Sequence, residues 1–229
     1  MNRLFVGRVL SLGLLVVLVV LALSACGGGE KKAKARPLPE DPKALRPGTY
    51  RSEEFKPSLS FHVGKGWSST PLEEASDALQ ITRGQAAGLA FANVQEVYKP
   101  TRTVSQIVDA PKDMVGWFQQ HPYLQTSKPE PVTVGGVKGV QFDVVVGDLP
   151  KGYNPTCSSI VGQPNCVDLG RLSTGEPIFL AEGEKLRVIV LEDVEGETVT
   201  IGFFSPASEF EEFVPEAQKV LDSVEWRGS

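Results

Sequence analysis

The sequence predicts that residues 46–229 form a single α+β domain, a central antiparallel sheet packed by helices. Three observations predict it. Short runs of β-branched and aromatic residues recur along the chain, joined by Gly-containing turns too short for parallel crossovers. Two windows change from a period of two to steps of three and four, the mark of helices with one apolar face. About 180 residues are enough for one well-buried core and too few to require two.

The elements follow in order. "GTYRSEEF" and "LSFHV" read as short strands, and "GKGW" supplies a turn leading into Trp67. "LQITR" and "GLAFANVQEVY" continue the pattern, so that four strands are expected before residue 100. From Asp109, "DAPKDMVGWFQQHP" places Pro and acids early and sets Met114, Val115, Trp117 and Phe118 on one side before Pro122 stops it, which reads as a short helix. "PVTVGGVKGVQFDVVVGD" gives two β-rich runs around Gly135-Gly136, a hairpin. "EPIFLAEGEKLRVIVLEDVEGETVTIGFFS" gives three more strands, with Gly183 and Gly196 near the turns. The segment "SEFEEFVPEAQKVLDSVEW" is the clearest helix: Phe210, Phe213, Val214, Ala217, Val220, Leu221 and Val224 fall at helical steps, and Ser208 with Glu211 has capping-box spacing. Pro215 either kinks this helix or begins it.

Ahead of the domain stands a processing signal. Arg3 and Arg8 precede an apolar run from Val9 to Leu23, and Leu23-Ser24-Ala25-Cys26 resembles the bacterial lipobox. That resemblance implies cleavage before Cys26, a diacylglyceryl group on its thiol, acyl chains of the palmitate kind, and a place on the cell membrane facing outside the cytoplasm. The rival reading is an uncleaved anchor, although an anchor needs no small-small-Cys ending. Residues 1–25 are thus a lipoprotein signal peptide, and residues 26–45, rich in Gly, Lys and Pro without hydrophobic period, are a flexible tether. Lys31, Lys32, Lys34 and Arg36 either attract anionic head groups or only keep the tether extended.

Charge narrows the function classes. Loss of Arg3 and Arg8 leaves 21 bases against 28 acids, a net −7, and the domain beyond Leu45 carries −9. Nucleic acid, which needs clustered Lys and Arg, is excluded as a partner.

The order of elements, with "FKPSLSFHVGKGW" near the start, "VTVGGVKGVQFDVVV" in the middle and "AQKVLDSVEW" at the end, resembles the PsbP-like superfamily, which includes actinobacterial lipoproteins of the LpqN type. The resemblance implies helices packed on an antiparallel sheet and a family that mostly binds proteins or small apolar molecules. It transfers no catalytic residue.

Cys157 and Cys166 lie close together in a loop rich in Pro, Gly and Asn, and outside the cytoplasm such a pair reads as a disulfide. Zinc is the rival, but the spacing is wrong for a knuckle and the two histidines, His62 and His121, are distant in sequence. Nucleophile elbow, Ser-x-x-Lys pair, His-Glu-x-x-His and Walker loop are all missing, so no cofactor or metal is expected. Two functions remain. One is a non-enzymatic accessory module binding an apolar small molecule or an envelope protein, with Trp67, Trp117 and Phe118 as candidate pocket lining. The other is a weak hydrolase of envelope material built on His62 or His121.

Overall fold

The structure, a computed structural model, describes residues 34–39, 43–69, 75–101, 106–161 and 165–227, with the side chains of residues 160 and 161 excepted. The signal peptide, the lipobox and Cys26 lie outside the described residues. In chain order the strands are β1 (Arg36–Pro37), β2 (Gly48–Arg51), β3 (Leu59–Val63), β4 (Trp67–Ser69), β5 (Ala78–Arg83), β6 (Ala87–Ala92), β7 (Glu96–Lys99) and β8 (Gln106–Asp109). Helix α1 (Met114–Gln120) leads to β9 (Leu124–Thr126), β10 (Glu130–Val134) and β11 (Val137–Val146), and the short α2 (Ser158–Val161) precedes β12 (Cys166–Arg171) and β13 (Pro177–Ala181). The long strands β14 (Glu184–Val194) and β15 (Glu197–Pro206), helix α3 (Phe210–Leu221) and β16 (Glu225–Trp226) complete the chain.

These elements form three sheets, and this corrects the α+β plan. The central sheet runs β10-β11-β14-β15-β6-β5-β4 with β9 on the side of β11, a second runs β1-β2-β3-β16, and a third runs β13-β12-β7-β8. The fold is therefore mostly β. The helices among the described residues are only 7, 4 and 12 residues long, so the covering layers that helices were to supply are made largely of short strands. Strands of two to six residues leave too little sequence to show a period, which is why the extra layers did not register.

The two long central strands explain the layering. On β14, Ile189 and Leu191 face one apolar cluster while Val188 and Val190 face the other, so the strand is buried on both sides. The first cluster gathers Phe61 from β3, Phe91 from β6, Ile201 and Phe203 from β15, and Phe213, Val220 and Leu221 from α3. The second gathers Phe142 and Val144 from β11, Val97 and Val167 from the third sheet, and Met114 and Phe118 from α1. Helix α3 is continuous through Pro215, and Glu209 holds its N-cap position without a side-chain bond, so the Ser208 capping box does not form.

The hairpin at Gly135-Gly136 pairs Val134 with Val137 as expected. Gly135 has φ +55°, and a Cβ there would stand 2.6 Å from the Trp226 ring, so glycine is required on both counts. Part of the stretch assigned to the tether packs on the domain: β1 pairs in parallel with β2, and Ala35 and Leu45 are buried.

Candidate functional site

The strand β15 alternates strictly. Val199, Ile201 and Phe203 enter the first cluster, which sends Thr198, Thr200 and Gly202 to the opposite face. On the neighbouring β6 the residues of that same face are Gly88, Ala90 and Ala92, again small. Phe204 closes over Gly88 and Leu186 packs on Gly202, while Thr198 and Thr200, toward the start of β15, border the space left under the third sheet and the start of α1. The result is an open cleft of about 1040 Å³.

Its lining comes from four separate segments. Val94, Gln95 and Glu96 lead from β6 into β7, and Asp109–Met114 joins β8 to α1. Arg171 and the turn through Gly175 follow β12, and Gly196 to Thr200 carries the β14–β15 turn and the start of β15. Glu195 and Gly196 take positive φ values of 56° and 92°, as a two-residue hairpin turn of this twist requires. Asp193 Oδ1 accepts from the Gly196 N–H at 3.1 Å and steadies that turn.

One ion pair stands in the wall. Arg171 is opposite Glu96 in the β12–β7 ladder, and its Nε and Nη2 donate to Glu96 Oε2 at 2.9 and 2.6 Å. Both side chains are about a third exposed, so the pair adds little stability and chiefly fixes where the guanidinium points.

Unsatisfied polar atoms occur on the strands next to this lining. The Oγ1 of Thr200, the Oδ1 of Asp77 and the Oδ1 of Asn93 are buried without a hydrogen-bond partner. Thr200 is opposite Ala92, Ala92 is opposite Ala78, and Asn93 and Asp77 are the next residues along those two strands. The Asn93 N–H donates to the Asp77 carbonyl at 2.9 Å, and Asp77 Oδ2 accepts from the N–H of Ser173, a residue of the cleft, at 2.6 Å. The Asn93 amide nitrogen is already committed to the Lys56 carbonyl, which leaves its oxygen as the open acceptor. An orphaned buried oxygen costs about 1–3 kcal/mol.

The residues read from sequence as pocket lining are elsewhere. Trp67 is fully buried in the first cluster, its ring 6.0 Å from that of Phe213. Phe118 is buried on the other face against Phe142, with ring centroids 5.6 Å apart, and Trp117 is half-buried between Phe118 and His121. None of the three lines the cleft. His62 is exposed on β3, its Nδ1 3.4 Å from Thr49 Oγ1. His121 is buried; its Nδ1 accepts from the Tyr123 N–H at 3.3 Å and its Nε2 has no partner. Burial pushes its pKa down to about 4, so the ring is neutral at neutral pH. Neither histidine touches a serine hydroxyl and a carboxylate together, and neither lines the cleft.

Cys157 and Cys166 are bonded, with Cα atoms 6.2 Å apart. The buried Asp168 on β12 accepts from the N–H groups of Thr156 and Cys157 at 2.7 and 2.9 Å, tying the loop to the third sheet. Burial, followed by the charge of Asp168 and the nearby Tyr123, raises the Tyr153 hydroxyl to about 12. Among the described residues no group of three or more His, Cys, Asp or Glu is placed to hold a metal ion, and no helix is long and apolar enough to cross a membrane.

No family model matches the chain, and no curated protein matches it. Solved structures similar to it include the following two. The solution structure of cyanobacterial PsbP (CyanoP) from Synechocystis sp. PCC 6803 is 12% identical, with 90% of this chain and 99% of that chain covered and a TM-score of 0.40. The crystal structure of LpqN, involved in cell envelope biogenesis of Mycobacterium tuberculosis, is 10% identical, with 81% and 90% covered and a TM-score of 0.31. These are the two kinds of protein named in the sequence resemblance, and no residue here takes a role from either.

Proposed function

We propose that the chain is a lipid-anchored accessory protein on the outer side of the cell membrane that binds, without chemistry, a polar ligand. The observation that carries this reading is the open cleft with its polar lining, in which Gln95, Ser173, Thr174 and Thr198 stand beside the Glu96–Arg171 pair. Thr, Ser and Gln side chains and an ion pair share the lining with Val94 and Met114, so the site suits a polar segment of an envelope glycan or peptide better than the apolar small molecule expected from sequence. A disulfide between Cys157 and Cys166 supports an oxidising compartment. Cys26 supports the anchor through its sequence context alone.

The hydrolase reading has no centre to stand on among the described residues, because His62 and His121 lie apart and away from the cleft. Native mass spectrometry of the protein purified from its own envelope tests both halves of the proposal. A mass carrying acyl groups at Cys26 and a retained polar ligand is expected, and Thr200→Trp, which fills the cleft, should release the ligand while the acyl mass stays. His62→Gln with His121→Gln should retain it. A ligand retained by the Thr200→Trp protein would place binding elsewhere. Cys26→Ala should leave an uncut precursor, and cleavage after Ala25 in that variant would contradict the lipobox reading.

A further inference from the structure

The strand registers fix which end of the domain the N-terminal segment enters. β1 runs parallel to β2 with Arg36 opposite Tyr50, and Gly48, the first residue of β2, is opposite Val63, the last of β3. The turn through Lys65 leads to Trp67, which is opposite Arg83 at the end of β5. Ala35, Arg36, Arg46, Lys65 and Arg83 therefore share one end. Side-chain bonds link them: Arg36 Nη2 donates to the carbonyls of Arg46 and Pro47, both at 3.0 Å, and Arg83 Nη1 donates to the Lys65 carbonyl at 3.0 Å. The Arg36 guanidinium lies 4.5 Å over the Tyr50 ring, which holds it in place.

Four cations gather at this end of a domain whose net charge is −9. Glu216 is bonded to Arg83 at 3.2 Å and to Lys219 at 2.6 Å. Glu184 and Glu211 reach the same end beside Lys185 on β14, three strands across from β5. That is about 14 Å, beyond the roughly 8 Å over which salt leaves exposed charges coupled.

The cleft is at the other end. Glu197 opens β15 opposite Val194, the last residue of β14, and Thr200 is opposite the last residue of β6. A strand as long as β14, with 11 residues, separates the two ends by roughly 30 Å.

We propose that the end carrying Arg36, Arg46, Lys65 and Arg83 docks on the anionic head groups of the membrane, so that the cleft opens away from the bilayer. The proposal rests on the lipidated Cys26 of the reading above. Eight residues stand between Cys26 and Ala35, a reach of at most about 30 Å, whereas a domain beginning at Arg46 would have twice that freedom. A leash this short keeps the basic end within contact of the head groups.

The acylated protein is reconstituted into vesicles of phosphatidylcholine with or without phosphatidylglycerol, lipids in both carrying a spin-label quencher. A fluorophore is placed at Gly64→Cys, where a side chain meets open space, or at the exposed Lys138→Cys near the β10–β11 turn at the far end. Quenching is expected at the Gly64 position, to depend on phosphatidylglycerol, to weaken with salt, and to stay small at the Lys138 position. Arg46→Gln with Lys65→Gln should lower the docked fraction relative to the free one roughly five-fold per cation removed. Equal quenching at both positions overturns the proposal. So does Gly64 quenching that neither phosphatidylglycerol nor the double substitution changes. A purified mass without acyl groups would instead overturn the anchor, and cosedimentation of the mature chain as Cys26→Ser with acidic but not neutral vesicles then reads the docking by itself.

Discussion

The two faces of the central sheet are built to different standards. The face under α3 and the β1-β2-β3-β16 sheet is filled by large side chains, with Phe55, Phe61, Phe91, Phe203 and Phe210 all fully buried and Phe91 in ring contact with Phe55, Phe61 and Trp226. The opposite face is apolar around Phe142, Val188 and α1 and under Phe204; toward the start of β15 it gives way to Thr198, Thr200 and a cleft, with the Thr200 hydroxyl unpartnered. Close packing on one side supplies stability that incomplete filling on the other side draws down. A domain that holds together from one face can leave the other face available to a ligand.

Breaking the filled face should have the largest effect. Phe91→Ala is expected to cost about 3–5 kcal/mol and Leu221→Ala about 2–4 kcal/mol, read as denaturant midpoints. A midpoint unchanged in Leu221→Ala would mean that α3 contributes no core.

The covering sheet on the cleft side depends on its covalent staple. With a sequence separation of 9, opening the ring by Cys157→Ser and Cys166→Ser should lower stability by about 2–3 kcal/mol in the chain-entropy account. Because the loop is tied to β12 through Asp168, hydrogen exchange should rise at the N–H groups of Thr156 and Cys157 before it rises in β15. Uniform acceleration in both places would show the two faces unfolding as one unit.

A smaller effect should appear with acid. His121 is held neutral by burial, with its pKa lowered from 6.5 to about 4. A depressed folded pKa means that the unfolded chain takes up the proton first. The associated stability is present above pH 6.5 and is lost as the pH falls toward 4, at about 1.4 kcal/mol per pH unit at most. His121→Phe should flatten the midpoint between pH 6.5 and 5, a window that the carboxylates barely touch. A slope that survives the substitution would move its origin to another group.

How much of this could be read beforehand differs by element, for physical reasons. Helix α3 was legible because three turns repeat the same apolar face, and the β10–β11 hairpin because Gly135-Gly136 separates two β-rich runs. Strand β12, "CVDLGR", was passed over as loop, since its Cys, Asp and Gly weaken any alternation, and β8 has only four residues, all exposed. The third sheet was lost with them, and the α+β assignment followed from that loss. Trp67, Trp117 and Phe118, the candidates for pocket lining, sit in or against the two apolar clusters, where large rings contribute most. The cleft was hidden because its lining is drawn from turns far apart in sequence, and in "TVTIGFF" the residues Thr198 and Thr200 look like the wet side of an edge strand. The available signal was that β15 lies between two apolar neighbours, the long β14 and the shorter β6, so its Thr residues face the interior of the sheet rather than an open edge.

Two adjacent residues of β15 test the difference between the faces most directly. Ile201 is fully buried in the filled face, and Thr200 presents an unpartnered hydroxyl to the other. Denaturant midpoints of Ile201→Ala and Thr200→Val should diverge: the first falls by about 2–5 kcal/mol, while the second stays level or rises by about 1 kcal/mol, since a methyl replaces an orphaned hydroxyl of the same shape. A loss in Thr200→Val as large as that in Ile201→Ala would show that Thr200 belongs to a satisfied core and that the cleft face was not left open.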